Sequence, residues 1–264
     1  MKSLRSLYTF VATSFVLAIV YIAGAHTLLA QQPDDKLPRI GMAVPLAIPQ
    51  AGTTKVTVRG WLLDGVNEIK LSEANATLKI LKAEKVGVPN KQEAKHVGDT
   101  QIELEITLPE GTSYSSLKLT PVLSGVAGPA YELLVGSPFP LVKEQEPNKG
   151  FSDAQLVSLS QVVEGMIDGN QDVDVFALEG TAGQTIHAEV IAAARGSALD
   201  AALTLFDANG RPLVFSDDEG EVRDPQIRFT LPATGRYFVA LQDGLELGGS
   251  THPYLLQIQV ASKE

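Results

Sequence analysis

Gln101-Ile102-Glu103-Leu104-Glu105-Ile106-Thr107-Leu108 carries an apolar side chain at every second position. Successive side chains of a strand point to opposite faces, so this period of two predicts a β-strand with one face buried. Pro109-Glu110-Gly111 ends it as a turn. The same alternation recurs on both sides, in Lys55-Val56-Thr57-Val58-Arg59, Ala76-Thr77-Leu78-Lys79-Ile80-Leu81, Ser116-Leu117-Lys118-Leu119-Thr120 and Ala130-Tyr131-Glu132-Leu133-Leu134-Val135. About seven strands in about 100 residues, with no helical period, predict an immunoglobulin-like sandwich over residues 38–136. Trp61, the only tryptophan, reads as a filler between strands.

Gly136-Ser137-Pro138-Phe139-Pro140-Leu141-Val142-Lys143 marks a boundary, because closely spaced prolines disfavour helix and central strand alike. We take 137–143 as a Pro-rich linker and 144–262 as a second unit. Strand patterning resumes there in Thr185–Val190, Ala202–Phe206, Arg236–Leu241 and Tyr254–Val260. Asp207-Ala208-Asn209-Gly210 reads as a turn, and any helix is confined to Phe151–Leu156. The expected fold class is all-β: an immunoglobulin-like sandwich followed by a jelly-roll-type sandwich.

Charge divides the chain the same way. Of its 264 residues, 1–143 hold 14 Lys and Arg against 12 Asp and Glu, whereas 144–264 hold 7 against 19. Two units with different surfaces follow, and an acidic half with scattered basic residues argues against nucleic acid as a partner. The absence of cysteine excludes disulfides, zinc–thiolate sites and a thiol nucleophile.

Met1-Lys2-Ser3-Leu4-Arg5 is a short basic segment, and residues 6–30 contain no charged side chain. Ala23-Gly24-Ala25 and Leu28-Leu29-Ala30 offer small-residue cleavage sites, so 1–30 is read as a signal peptide. Left uncut, residues 6–30 are long enough to tether the chain to a membrane. Either case puts the remainder outside the cytoplasm, after a polar linker at 31–37.

The acidic residues of the second half fall in clusters between strands: Glu144-Gln145-Glu146-Pro147-Asn148, then Asp168 to Asp174, then Ser216-Asp217-Asp218-Glu219-Gly220. Loops rich in carboxylates, Asn and Gly suit a hard cation such as calcium, which takes six to eight oxygen ligands.

Two stretches carry family resemblances. Gly52–Trp61 followed by Val66–Leu71 resembles the opening of TIG/IPT-type immunoglobulin-like domains, which implies a spacer or interaction module. Seven segments in register from Glu144 to Tyr237 resemble the bacterial pre-peptidase C-terminal domain. They include Glu144–Asn148, Gly165 to Phe176, Gly196–Asp200, Leu205–Gly210, Asp217-Asp218 and Leu231–Tyr237. That family typically trails secreted peptidases, and its relatives include calcium-binding domains of bacterial collagenases; here no peptidase precedes it.

The resemblance implies a calcium site formed by Glu144, Glu146 and Asn148 from the linker with Asp172 and Asp174 from the loop. Extended backbone puts alternate residues on one face, which would let each set converge. Lys149 stands where some relatives carry an acidic residue, which counts against a second adjacent ion. Asp200, Asp217, Asp218 and Asp224, with Asp243, form a second candidate set, although Asp217-Asp218-Glu219-Gly220 is equally a turn sequence.

Catalytic motifs are missing from the sequence. It has no G-x-S-x-G elbow, no H-E-x-x-H and no phosphate-binding glycine loop. Ser250-Thr251-His252 reads as a loop tip rather than a nucleophile–base pair. The expectation is an exported, non-catalytic binding or scaffolding protein with calcium as a cofactor. Its partner would be an extracellular protein or polysaccharide. The rivals are an accessory or remnant subunit of a secreted peptidase, and an adhesin.

Overall fold

The computed structural model describes residues 36–89, 91–218 and 223–261. The leader reading over 1–30, most of the linker at 31–37, and Glu219 and Gly220 of the acidic turn lie outside them. Among the described residues no helix is long and apolar enough to cross a membrane.

The first sandwich comprises β1 (Arg39–Val44), β2 (Ala47–Ile48), β3 (Gly52–Trp61), β4 (Glu68–Leu71), β5 (Thr77–Lys85), β6 (Thr100–Leu108), β7 (Ser116–Leu123), β8 (Val126–Ala127) and β9 (Tyr131–Val135). One sheet runs β1-β3-β6-β5 and the other β2-β9-β7-β4, with β8 paired to β7. Leaving out β2 and the short β8, this is the A-B-E-D and G-F-C arrangement of immunoglobulin-like sandwiches. β6 is an inner strand, and its alternate residues Ile102, Leu104, Ile106 and Leu108 are buried, as their spacing predicts. They meet Val56, Val58, Leu117, Leu119 and Leu133 in one core.

A four-residue helix, α1 (Ala94–Val97), precedes β6. Arg59 holds this loop by donating to the carbonyls of Gly87, Val97 and Gly98. Trp61 is a half-buried filler. Its Nε1 donates to Ala94 O at 2.7 Å, and the Arg39 guanidinium stacks 3.8 Å from its ring centre.

The second sandwich contains β10 (Leu141–Lys143), β11 (Gln155–Leu156), β12 (Gln161–Met166), β13 (Val173–Gly180), β14 (Thr185–Ile191), β15 (Ala201–Asp207), β16 (Pro212–Ser216), β17 (Gln226–Thr230), β18 (Gly235–Asp243) and β19 (Pro253–Val260). A single 3₁₀ turn, Ala193–Arg195, follows β14. Its sheets run β10-β12-β19-β14-β17 and β11-β13-β18-β15-β16. Lettering β12 to β19 as B to I gives B-I-D-G against C-H-E-F, the jelly-roll order, with Phe176, Leu178, Leu203, Val239 and Leu256 among the residues between the sheets.

β10 and β11 are additions to that frame. Each joins an edge in parallel, β10 on β12 and β11 on β13. Residues 144–154 therefore cross from the edge of one sheet to the edge of the other as a strap over the open side of the sandwich. Leu141–Lys143, assigned to the linker by its prolines, is thus already part of the second sandwich, and Phe151–Leu156 forms turn and strand rather than helix. Phe151 packs on Phe206 and Phe238, covering the outer face of one sheet.

The two sandwiches share a buried contact. Leu46 and Ala47 of the first pack with Val162 and Leu255 of the second, flanked by Leu134, Phe139, Leu141 and Ile191. Tyr131 donates to Arg195 O at 3.0 Å, and Arg195 pairs with Glu132 at 3.1 Å. Gly196 has φ 84° and lies against Gly41 O so closely that any Cβ would collide with it.

Candidate metal centre

The strap begins where β10 ends. Glu144 N still donates to Glu164 O at 2.9 Å, which continues the β10–β12 ladder and fixes the direction of the Glu144 side chain. Four residues on, the Asn148 carbonyl accepts from Val175 N at 2.8 Å and ties the strap to β13. The two ends of one short segment are thereby attached to opposite sheets, and Glu146 between them lies near Asp174 on β13.

Glu144, Glu146 and Asp174 each place a carboxylate oxygen so that all three lie within 4.8 Å of one another. Glu144 is held firmly. Its Oε2 accepts from Met166 N at 2.8 Å, and its Oε1 accepts from Asn148 Nδ2 at 2.8 Å. The Tyr254 hydroxyl sits 3.0 Å from Glu144 Oε1 and 2.7 Å from Asp174 Oδ2. Gly165 makes room for this arrangement, since a Cβ there would strike both the Tyr254 hydroxyl and Glu144 Oε2.

Two oxygens in this group have no hydrogen-bond partner. Asn148 Oδ1 and Asp174 Oδ1 are both buried and unpaired, on residues with 0 % exposure. An unpaired buried polar atom costs roughly 1–3 kcal/mol, so two of them beside two further carboxylates form an unfavourable arrangement unless something positive joins them. The electrostatics agree. Burial, a hydrogen bond to Glu144 and that residue's negative charge push the Asp174 carboxyl up to about 9. Desolvation and then the charge of Asp172 raise Glu146. Burial raises the Tyr254 phenol as well, reinforced by the charges of Asp174 and Glu144.

Asp172 is built in differently. It directly precedes β13 and follows Gln171, which has φ 63°, and its charge still acts on Glu146 and Asp174. Its Oδ2 accepts from Asp168 N at 2.8 Å, and its Oδ1 accepts from Val173 N at 3.1 Å and Lys149 Nζ at 2.9 Å. Of the five expected ligands, the structure gathers Glu144, Glu146, Asn148 and Asp174 and gives Asp172 to the neighbouring loop.

The second acidic set has other partners. Asp224 accepts from three backbone N–H groups, those of Ala192, Ala193 and Ala194, at 3.0, 2.7 and 3.0 Å. Asp200 pairs with Arg223 at 3.1 Å, while Asp217 and Asp218 are exposed at the end of β16. Asp243 accepts from the N–H groups of Asp200, Leu245 and Leu247.

Thr251 and His252, expected at a loop tip, are fully buried. Thr251 Oγ1 donates to Gln92 Oε1 of the first sandwich at 3.0 Å and lies 3.1 Å from His252 Nδ1. His252 Nε2 is 3.7 Å from Asp243 Oδ2, and burial pushes the imidazole pKa down. A hydroxyl, an imidazole and a carboxylate come together here, but all three residues are buried, with Gln92 of the first sandwich bonded to Thr251.

Sequence reasoning missed Tyr254, which it read only as the first residue of a strand segment. The signal for it was the hydroxyl, because a buried tyrosine requires a polar partner.

Residues 172–243, which run from β13 through β18, match the bacterial pre-peptidase C-terminal domain family. The second sandwich carries a pre-peptidase C-terminal domain. A probable subtilase-type serine protease of Deinococcus radiodurans is 41% identical over 101 residues, 37% of this chain and 14% of that protein. The chain therefore spans a small part of that relative. Among solved structures, the pre-peptidase C-terminal domain of a Bacillus anthracis collagenase aligns over 44% of this chain and all of its own, at 15% identity and TM-score 0.34. A periplasmic inhibitor of g-type lysozyme from Aeromonas hydrophila aligns over 47% of this chain and 97% of its own, at 19% identity and TM-score 0.31. The strap with Glu144, Glu146 and Asn148 lies ahead of the matched stretch, so the centre joins the pre-peptidase C-terminal domain to the chain that enters it.

Proposed function

We propose that this chain is an exported, non-catalytic binding or scaffolding protein whose pre-peptidase C-terminal domain is held by calcium at Glu144, Glu146, Asn148 and Asp174. The observation that carries the calcium reading is the pair of buried, unpaired oxygens, Asn148 Oδ1 and Asp174 Oδ1, beside the carboxylates of Glu144 and Glu146. Four protein oxygens, three of them from carboxylates, suit a hard divalent cation whose remaining ligands are carbonyl or water. The ion would neutralise the cluster and fasten the strap to both sheets. Because only the folded state assembles these residues, calcium stabilises folding by RT ln(1 + [L]/Kd), about 2.7 kcal/mol at a hundredfold excess over Kd.

Two further points support the rest of the reading. The basic and then uncharged run at residues 1–30 supports export, with the chain acting in the periplasm, at the cell surface or in the medium. The burial of Thr251 and His252 supports a non-catalytic role, since a substrate has no route to them. An extracellular protein or a polysaccharide is the partner class this reading implies.

The test is thermal melting of the full chain in millimolar calcium and in chelator, alongside an Asp174→Asn/Glu146→Gln variant. Calcium should raise the wild-type midpoint and leave the variant unmoved. Superimposable wild-type melts would overturn the calcium reading.

The likeness to a subtilase-type protease favours a second reading, in which the chain accompanies a separately encoded secreted peptidase. Proteolytic activity that co-purifies with the chain from its native source, and is lost when the chain is deleted, would select it.

A further inference from the structure

Asn75-Ala76-Thr77 is the one place in the chain where an asparagine has Ser or Thr two residues on, with a residue other than proline between. Glu73 stands two residues before it, so the stretch reads acid-x-Asn-x-Thr. An Asn-x-Thr triplet in an exported protein is an acceptor for N-linked glycan where it lies at the surface. Alternation predicts a strand from Ala76, but β5 begins at Thr77, which leaves Asn75 and Ala76 in the turn after β4.

The turn presents both residues of the acceptor. Asn75 and Thr77 are exposed, and neither side chain has a hydrogen-bond partner among the described residues. The neighbouring strands hold the ends of the turn. Ser72 N donates to Lys118 O at 3.1 Å, Ser72 Oγ accepts from Lys118 N at 3.1 Å, and Thr77 pairs opposite Thr107. Between these ends one long bond, from Ala76 N to Glu73 O at 3.3 Å, closes the turn, and Ala76 contributes its buried side chain. β5 is the outer strand of its sheet, so no strand lies beyond the turn on that side among the described residues.

We propose that Asn75 is a site of N-linked glycosylation, its substrate an oligosaccharide carried on a polyprenyl diphosphate and transferred outside the cytoplasm. This rests on the export reading above and adds a modification to it. In the transfer Asn75 Nδ2 gives up a proton and bonds to the anomeric carbon of the sugar. The bond from that carbon to the diphosphate oxygen breaks, and the lipid diphosphate leaves with the electron pair, so nothing is oxidised or reduced. Thr77 is the recognition residue and keeps its hydroxyl. The consequence is physical as well as chemical. A strand at a sheet edge is a template for pairing with other chains, and β5 presents nine residues of it. A bulky, hydrated glycan on the turn that leads into β5 would shield the start of that edge.

The experiment is mass spectrometry of the full chain purified from its native source, with cell fractionation to locate it. Trypsin cuts after Lys70 and Lys79, so Asn75 and Thr77 fall in one peptide, Leu71–Lys79. That peptide should gain the mass of a glycan that fragmentation places on Asn75. Asn75→Gln and Thr77→Ala expressed in the same host should lose it, and Thr77→Ser should keep it, with melting curves to establish that each variant folds. An exported chain whose peptide is wholly unmodified would overturn the proposal, as would a glycan that persists on that peptide in Asn75→Gln. A chain confined to the cytoplasm would instead remove the export reading on which the proposal rests, and fractionation tells the two failures apart.

Discussion

The Tyr254 hydroxyl lies 2.7 Å from Asp174 Oδ2, across 80 residues of sequence and between the two sheets of the second sandwich. Tyr254 belongs to β19 and Asp174 to β13, and both are fully buried. The bond therefore ties the sheets together at the floor of the carboxylate group. Tyr254→Phe keeps the ring packing and removes only the donor, leaving Asp174 Oδ2 without it. We expect a loss of about 1–3 kcal/mol in chelator, the usual penalty for an abandoned buried acceptor. Urea unfolding would measure it, and a variant as stable as wild type would contradict this role for the hydroxyl.

Asp174 also sets a pH dependence. Its carboxyl is held up to about 9 by burial and by Glu144, against an ordinary value of 3.8. The folded, calcium-free protein thus keeps a proton that the unfolded chain gives up. The stabilisation from that proton is complete below about pH 4 and drains away as pH rises toward 9. Calcium must displace the proton, so its affinity should increase over the same range. Melting at pH 6 and pH 8.5 checks this: the calcium-induced rise should be larger at the higher pH, and Asp174→Asn should flatten the difference.

The centre of the joint between the sandwiches is apolar, with the polar contacts Tyr131–Arg195, Arg195–Glu132 and Thr251–Gln92 beside it. Leu46 is 1 % exposed against Val162 and Leu255. Leu46→Ala leaves a cavity there and should cost about 2–5 kcal/mol, the range for a buried leucine. Scanning calorimetry should show one transition for wild type, because the shared core couples the units, and two for the variant. Two transitions in wild type would mean that the contact is too weak to couple them.

The strands were legible because a period of two persists through all of β6 and β14 and over Leu256–Val260 at the end of β19. The jelly-roll sheet was legible for the same reason. What escaped was short or depended on distant contacts. α1 spans four residues, too few to show a helical period, and β10 is hidden behind Pro138 and Pro140 although it begins just after them. Nothing local in Leu46-Ala47 says that its face will meet Leu255. At the candidate site the resemblance named Glu144, Glu146, Asn148, Asp172 and Asp174 together, and the partners each of them takes were not legible. The hydrogen bonds that Asp172 accepts from Asp168 N, Val173 N and Lys149 depend on the fold of the 168–174 loop, which no spacing rule reveals.

Asp224 is a structural carboxylate, in contrast to those proposed to hold calcium. Its two oxygens accept three N–H groups of the 3₁₀ turn, so its negative charge already has ordered backbone donors on it. Asp224→Ala strands those donors in a partly buried site, and we expect a loss of about 3 kcal/mol, in the range for hydrogen bonds to a charged group. Asp224→Asn retains one acceptor oxygen and should lose less. Neither change should alter the rise in melting midpoint that calcium produces, because the turn and the strap use different residues. If Asp224→Ala instead reduced the number of bound ions, the set of Asp200, Asp217, Asp218 and Asp224 would hold a metal after all, and the backbone contacts of Asp224 would have to rearrange to release it.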